Sequence, residues 1–202
     1  MDETPLFPDS PVLELFDPLG ELLGAGDGVY RYRFDDAVHL AGHACPTVAG
    51  AFVMTLHALE RLYRGERPVR GGMRLTFHGP PDQGANGPFS QILTLLTGAA
   101  AENGFAGLAG QYGRKGLLRF EPGAQSGPVT VTFERIDNGD RVTLQYDASP
   151  IPPAPELGED LQQVLAGGAD PAIRARFRRA WRDRTARIVA DAGASTVTEV
   201  AD

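Results

Sequence analysis

The amino-acid sequence predicts an α+β fold: an antiparallel sheet packed on a long central helix, with a C-terminal helical extension. Three observations predict it. Between Pro46 and Arg64, Val48, Phe52, Leu56, Leu59 and Tyr63 recur every three or four residues, the period of one helical face. Five short segments have strand-like composition and are bounded by glycine- and proline-rich turns. Past the proline-rich "SPIPPAP", the pattern becomes helical again and stays so almost to the end.

Taken in order, "VYRYRF" (Val29 to Phe34) alternates Tyr30, Tyr32 and Phe34 with Val29, Arg31 and Arg33 and reads as a strand. His43 and Cys45 then stand two residues apart in an extended loop, with His39 four residues before His43. In the helix that follows, Pro46 suits the first turn and Gly65 the stop. "MRLTFHG" (Met73 to Gly79) is the next strand, delivering His78 at its end on the polar face. "PFSQILTLLTG" reads as a short helix with Gly98 at its end. "GLLRFE", "VTVTFERI" and "DRVTLQYD" read as three more strands, expected to pair antiparallel, with "PGAQSG" and "DNGD" as the turns between them. Residues 1–148 form the expected core, 149–155 a stiff connector and 156–202 the extension. Within the extension, Asp170 is the expected cap of a helix that carries Ile173, Phe177, Trp181 and Ile188 along one side, and the last eight residues read as a frayed tail.

Composition bounds the function. A chain of 202 residues, 42% hydrophobic, can bury a substantial core. Nineteen Lys and Arg against 26 Asp and Glu, a net charge of −7, argue against nucleic acid or an anionic membrane as partner. No run approaches the ~18 apolar residues of a membrane span, and the acidic N-terminus is unlike a signal peptide. A cytoplasmic location is expected, with the single cysteine as a free thiol.

That cysteine lies in "VHLAGHACPTVAGAF", beside two of the four histidines. Thiolate and imidazole are natural ligands of zinc and other divalent transition metals, so His43 and Cys45 form a candidate metal pair, with His39 and His78 as further candidate ligands. A second reading makes Cys45 a nucleophile at the positive end of a helix dipole, with His43 as its base. A third leaves Cys45 as a small buried hydrophobe and the histidines as hydrogen-bonded core. His57, twelve residues along the helix, lies roughly 18 Å from Cys45 and is outside the site. The glycines of "GLAGQYGRKG" lack phosphate-loop spacing and suit tight turns. The arginines between Arg174 and Arg187 run around most of their helix, as on a solvated or subunit-bridging element.

The stretch "GHACPTVAGAFVMTLHALERL", followed by "TGAAAENGFAGLAGQYGRKGLLRF", resembles the FmdE family, named after one of the subunits of formylmethanofuran dehydrogenase. The resemblance covers about Asp35 to Phe120. It rests on an HxCP motif opening a long helix, an asparagine, and a DYGK-like segment before a strand. It implies a dimerising α+β core with a groove around the histidine and cysteine, and zinc as the occupant. By that resemblance His43 and Cys45 are metal ligands, Asn103 matches the family's asparagine as a cofactor-binding residue, and Tyr112 with Arg114 or Lys115 matches the DYGK-like segment. Cys45, His43, Tyr112 and Lys115 thereby become the candidate catalytic set. This chain departs from the pattern at Thr47 for glycine, Ala41 for a histidine, Ala99 for cysteine and Gln111 for aspartate. His39 is the candidate replacement for the histidine missing at Ala41. No cysteine follows Cys45, so the zinc-ribbon tail of some members is not expected here. Two functions result. One is a metal-dependent enzyme or accessory protein of unknown substrate, and the other a non-catalytic homodimeric module binding a small molecule or cofactor, with a structural Cys45.

Overall fold

The computed structural model describes residues 5–123 and 127–201. The middle of the expected "PGAQSG" turn lies outside the described residues. The fold is α+β, with an antiparallel sheet. A two-stranded ribbon of β1 (Leu13–Phe16) and β2 (Val29–Tyr32), with the short α1 (Pro18–Leu22) between its strands, leads into α2 (Phe34–Ala41) and α3 (Pro46–Tyr63). Next come β3 (Met73–Phe77), α4 (Asn86–Thr97), β4 (Leu118–Phe120), β5 (Val129–Arg135) and β6 (Arg141–Tyr146). The chain finishes with α5 (Leu157–Leu165), α6 (Pro171–Ala190) and β7 (Val197–Val200). The main sheet runs β4-β3-β5-β6-β7. Among the described residues no helix is long and apolar enough to cross a membrane.

Alternation decides the faces of this sheet. Met73, Leu75, Phe77, Val131, Phe133, Val142 and Leu144 turn inward and are buried. Arg74, Thr76, Thr130 and Thr132 occupy the alternate positions and turn to the other side. Helix α3 packs against α2, α4, α6, β6 and β7, and for that reason nearly every residue from Val48 to Tyr63 is buried.

Three expectations are corrected. The strand expected over Val29 to Phe34 ends at Tyr32, and Phe34 opens α2, the helix that carries His39. The helix wins because the Arg33 N–H donates to the Asp36 carboxylate at 2.7 Å and caps the first turn. Phe34 is then fully buried, edge-on to Phe7 and Phe52. Strand β4 pairs parallel to β3, because α4 carries the chain back over the sheet before β4 begins. The expected frayed tail contains β7, which pairs with β6 from Tyr146↔Val197 to Thr143↔Val200.

Gly50 sits in the middle of α3 for a steric reason. A Cβ there would lie 2.3 Å from the Tyr146 ring, which is held in place because its hydroxyl donates to Pro46 O at 2.7 Å. Gly50→Ala gains up to about 1 kcal/mol of helix propensity. Overpacking costs about 1–3 kcal/mol. Urea unfolding should therefore show a net loss of stability, whereas an unchanged or raised midpoint would mean that the ring moves aside freely.

Candidate functional site

Residues 42–46 pass from one helix to the next and are fastened at every step. Helix α2 stops at Gly42, whose φ of 73° is the left-handed conformation that glycine tolerates best. The Gly42 N–H closes the turn on Val38 O at 2.8 Å. Cys45 is then extended, at φ −152° and ψ 168°, and precedes Pro46, whose fixed φ and missing N–H suit the first helical position.

Three side chains hold this passage. His43 Nδ1 lies 3.0 Å from Ala41 O. A carbonyl can only accept, so Nδ1 is the donor here and Nε2 is the ring nitrogen not used in this bond. The Trp181 indole N–H of α6 donates to Ala44 O at 2.7 Å. The Tyr146 hydroxyl of β6 donates to Pro46 O, as described above. Burial pushes this hydroxyl above its ordinary pKa, with Arg184 opposing, so it stays protonated and remains a donor.

His43 and Cys45 line a cleft of about 320 Å³ together with Leu40, Ala41, Thr47, Val48, Pro88, Gln91 and Ile92. No Asp, Glu, Lys or Arg is among these residues. Cys45 is half-buried and its thiol makes no capping hydrogen bond. A second hollow of about 250 Å³, between Leu6–Ser10 and α6, contains neither thiol nor imidazole.

The other candidates lie elsewhere. His39 is exposed on α2 and does not line the cleft. His78 follows β3 on the side of Arg74 and Thr76, so the sheet separates it from α3 and Cys45; its expected approach to the helix N-terminus is corrected. It is engaged there, with Nε2 2.7 Å from Thr132 Oγ1 and Nδ1 3.1 Å from the Glu121 carboxylate. Among the described residues, no three His, Cys, Asp or Glu side chains gather as a metal group. His43 and Cys45 are thus two donors without a third.

Asn103, Tyr112 and Lys115 belong to the loop between α4 and β4, and none of them lines the cleft. Asn103 and Lys115 are exposed, and Lys115 faces Glu102 at 3.5 Å. Tyr112 is half-buried at φ 58°. Arg114, the alternative to Lys115, turns inward to Asp17 at 2.7 Å and is a structural ion-pair partner. Two positions where the chain departs from the FmdE pattern, Ala41 and Thr47, do line the cleft. Sequence reasoning misses Tyr146 and Gln91 altogether, and finds Trp181 only as part of an apolar stripe. The Trp181 indole N–H is the available signal, since a half-buried tryptophan needs an acceptor.

Neither the models of known protein families nor the curated proteins give a match to this chain. Fold and site together define the molecule as an α+β domain with a thiol and an imidazole in the lining of a cleft that has no Asp, Glu, Lys or Arg.

Proposed function

We propose that this chain is an FmdE-like metal-binding protein that takes zinc or another divalent transition metal at His43 and Cys45, beside a cleft for a small molecule. The observation that carries this reading is the hydrogen bond from His43 Nδ1 to Ala41 O. Metal-bound histidines typically donate their second ring N–H to a carbonyl or carboxylate, which fixes the tautomer and the ring orientation. His43 has that arrangement, with Nε2 left to bind. Cys45 contributes a thiolate, and the pair matches the N/S preference of zinc.

Protein groups supply two positions, so the remaining ones fall to solvent or to a molecule in the cleft. A metal bound there would polarise an oxygen or nitrogen of that molecule. The chain itself binds and orients. Leu40, Val48 and Ile92 exclude water from an apolar part, while Thr47 and Gln91 offer hydrogen bonds. No Asp, Glu, Lys or Arg lines the cleft, so the charge met by a ligand would be that of the metal and its thiolate.

Protein purified without chelator is expected to contain close to one metal ion per chain by elemental analysis. Cys45→Ser and His43→Ala should each lose most of it. His57→Ala and His78→Ala should retain it, since one lies along α3 and the other across the sheet. Absence of zinc, iron, copper, nickel and cobalt from the wild type, with no uptake on addition, would refute the reading.

A further inference from the structure

We propose that Trp181 is a positioning residue for the His43–Cys45 pair, and that α6 is in this way a working part of the site. Ala44 is the single residue between the two donors, so the orientation of its carbonyl sets the peptide plane leading into Cys45. Rotating that plane swings the two side chains relative to each other. The Trp181 N–H, 2.7 Å from Ala44 O, holds it in one setting.

The helix that presents Trp181 is itself immobilised. The ring of Trp181 packs against Phe177 at 5.6 Å between centroids. Arg184 donates to Ile151 O at 2.8 Å and to Ala148 O at 3.2 Å, tying α6 to the end of the core and to the connector. Ile188 and Val189 are buried in the main core. The donor is thus anchored to the body of the protein, and Ala44 inherits that rigidity. Two donors held ready lose less freedom on meeting a metal than two that must be ordered by it.

The inference rests on the metal reading, and the experiment separates the two. Zinc affinity is measured by chelator competition for wild type, Trp181→Phe and Phe177→Leu. Trp181→Phe keeps an aromatic ring and removes the N–H, and Phe177→Leu perturbs the same packing but leaves the N–H in place. Loss of an outer-shell partner typically weakens metal binding about 10- to 100-fold. That fall is expected for Trp181→Phe, along with a weakened thiolate-to-cobalt charge-transfer band. Phe177→Leu should bind as wild type does. Equal affinity in Trp181→Phe and wild type, or an equal loss in Phe177→Leu, overturns the inference.

A wild type that binds no metal sinks the functional reading but leaves positioning to be decided on the metal-free protein. There, alkylation of Cys45 by iodoacetamide should change several-fold in Trp181→Phe and stay constant in Phe177→Leu. An unchanged rate in Trp181→Phe overturns the proposal. Should Trp181→Phe fail to fold, the wild-type indole N–H decides, and it gives one resonance because Trp181 is the sole tryptophan. Displacement of that resonance by zinc or by alkylation of Cys45 supports the coupling, and no displacement by either overturns it.

Discussion

Asp17→Asn is expected to destabilise the protein by about 3–5 kcal/mol, the cost of removing one partner from a buried ion cluster. The Asp17 carboxylate is buried at the end of β1 and accepts from Arg114 at 2.7 Å, from Arg70 at 2.9 Å, and from the N–H groups of Leu19 and Gly20 at the start of α1. Arg70 also donates to Leu95 O in the last turn of α4 at 2.7 Å, so the cluster joins the ribbon, α4 and the approach to β3. Arg114 is 8% exposed, and its guanidinium lies so close over Gly71 that a Cβ there would overlap it. Without Asp17, two guanidinium groups would face each other with no counter-charge, and Arg70 Nε is already buried without a hydrogen-bond partner. Asparagine keeps the shape and removes the charge, so urea unfolding of this variant measures the electrostatic part.

The same cluster sets a pH dependence. Burial pushes the Asp17 carboxyl up, but the Arg70 hydrogen bond and the Arg114 charge outweigh it and hold the carboxyl below the usual carboxylate range. Burial and the neighbouring Arg70 lower Arg114, with Asp17 opposing, yet a guanidinium is so basic that it stays charged throughout. A folded pKa below the unfolded ~3.9 means that the contribution is fully present above about pH 4. It is lost as pH falls through the folded value. Wild type should therefore lose stability relative to Asp17→Asn below about pH 4, and a constant difference down to about pH 2 would show that the carboxylate is not held by the arginines.

Deletion of residues 149–202 is expected to abolish cooperative folding. The deleted part contributes Ile151, Ile188, Val189 and Val197 to the main core. At about 1.5–3 kcal/mol per buried aliphatic side chain, these four account for roughly 6–12 kcal/mol, comparable to the entire stability of a typical domain. Deletion also strips α6 from α3 and leaves β6 as an open sheet edge. Circular dichroism against urea should show no sigmoidal transition for residues 1–148. A sharp transition would establish that the core folds by itself and that the extension only decorates it.

How far the sequence can be read depends on the range of the interaction involved. Helix α3 is legible because Pro46, the apolar period and the stop near Gly65 are all local. Strands β5 and β6 are legible because they meet across the short "DNGD" turn. Helix α2 is hidden by the Tyr30, Tyr32, Phe34 alternation, which continues past the true strand end into a capped turn. Strand β7 is short and is made a strand by β6, a partner far earlier in the chain. Alternation puts His78 on the polar face, but nothing local shows that this is the face turned away from the helices. The pairing of His43 with Cys45 is visible as HxC, while Tyr146 and Trp181 act 100 and 137 residues away from the backbone groups they hold.

That separation has a consequence for the order in which the molecule is made. A chain emerges from the ribosome N-terminus first. Ala44 is made 137 residues before the indole that fastens it. Contacts this distant in sequence form late and slowly, because a long loop must close before they reward it. A nascent chain halted before α6 therefore displays the thiol and the imidazole without the clamp between them. The fastened setting of Ala44 arises only after translation has passed Trp181, whereas the residues that line the cleft, from Leu40 to Ile92, are all made before it.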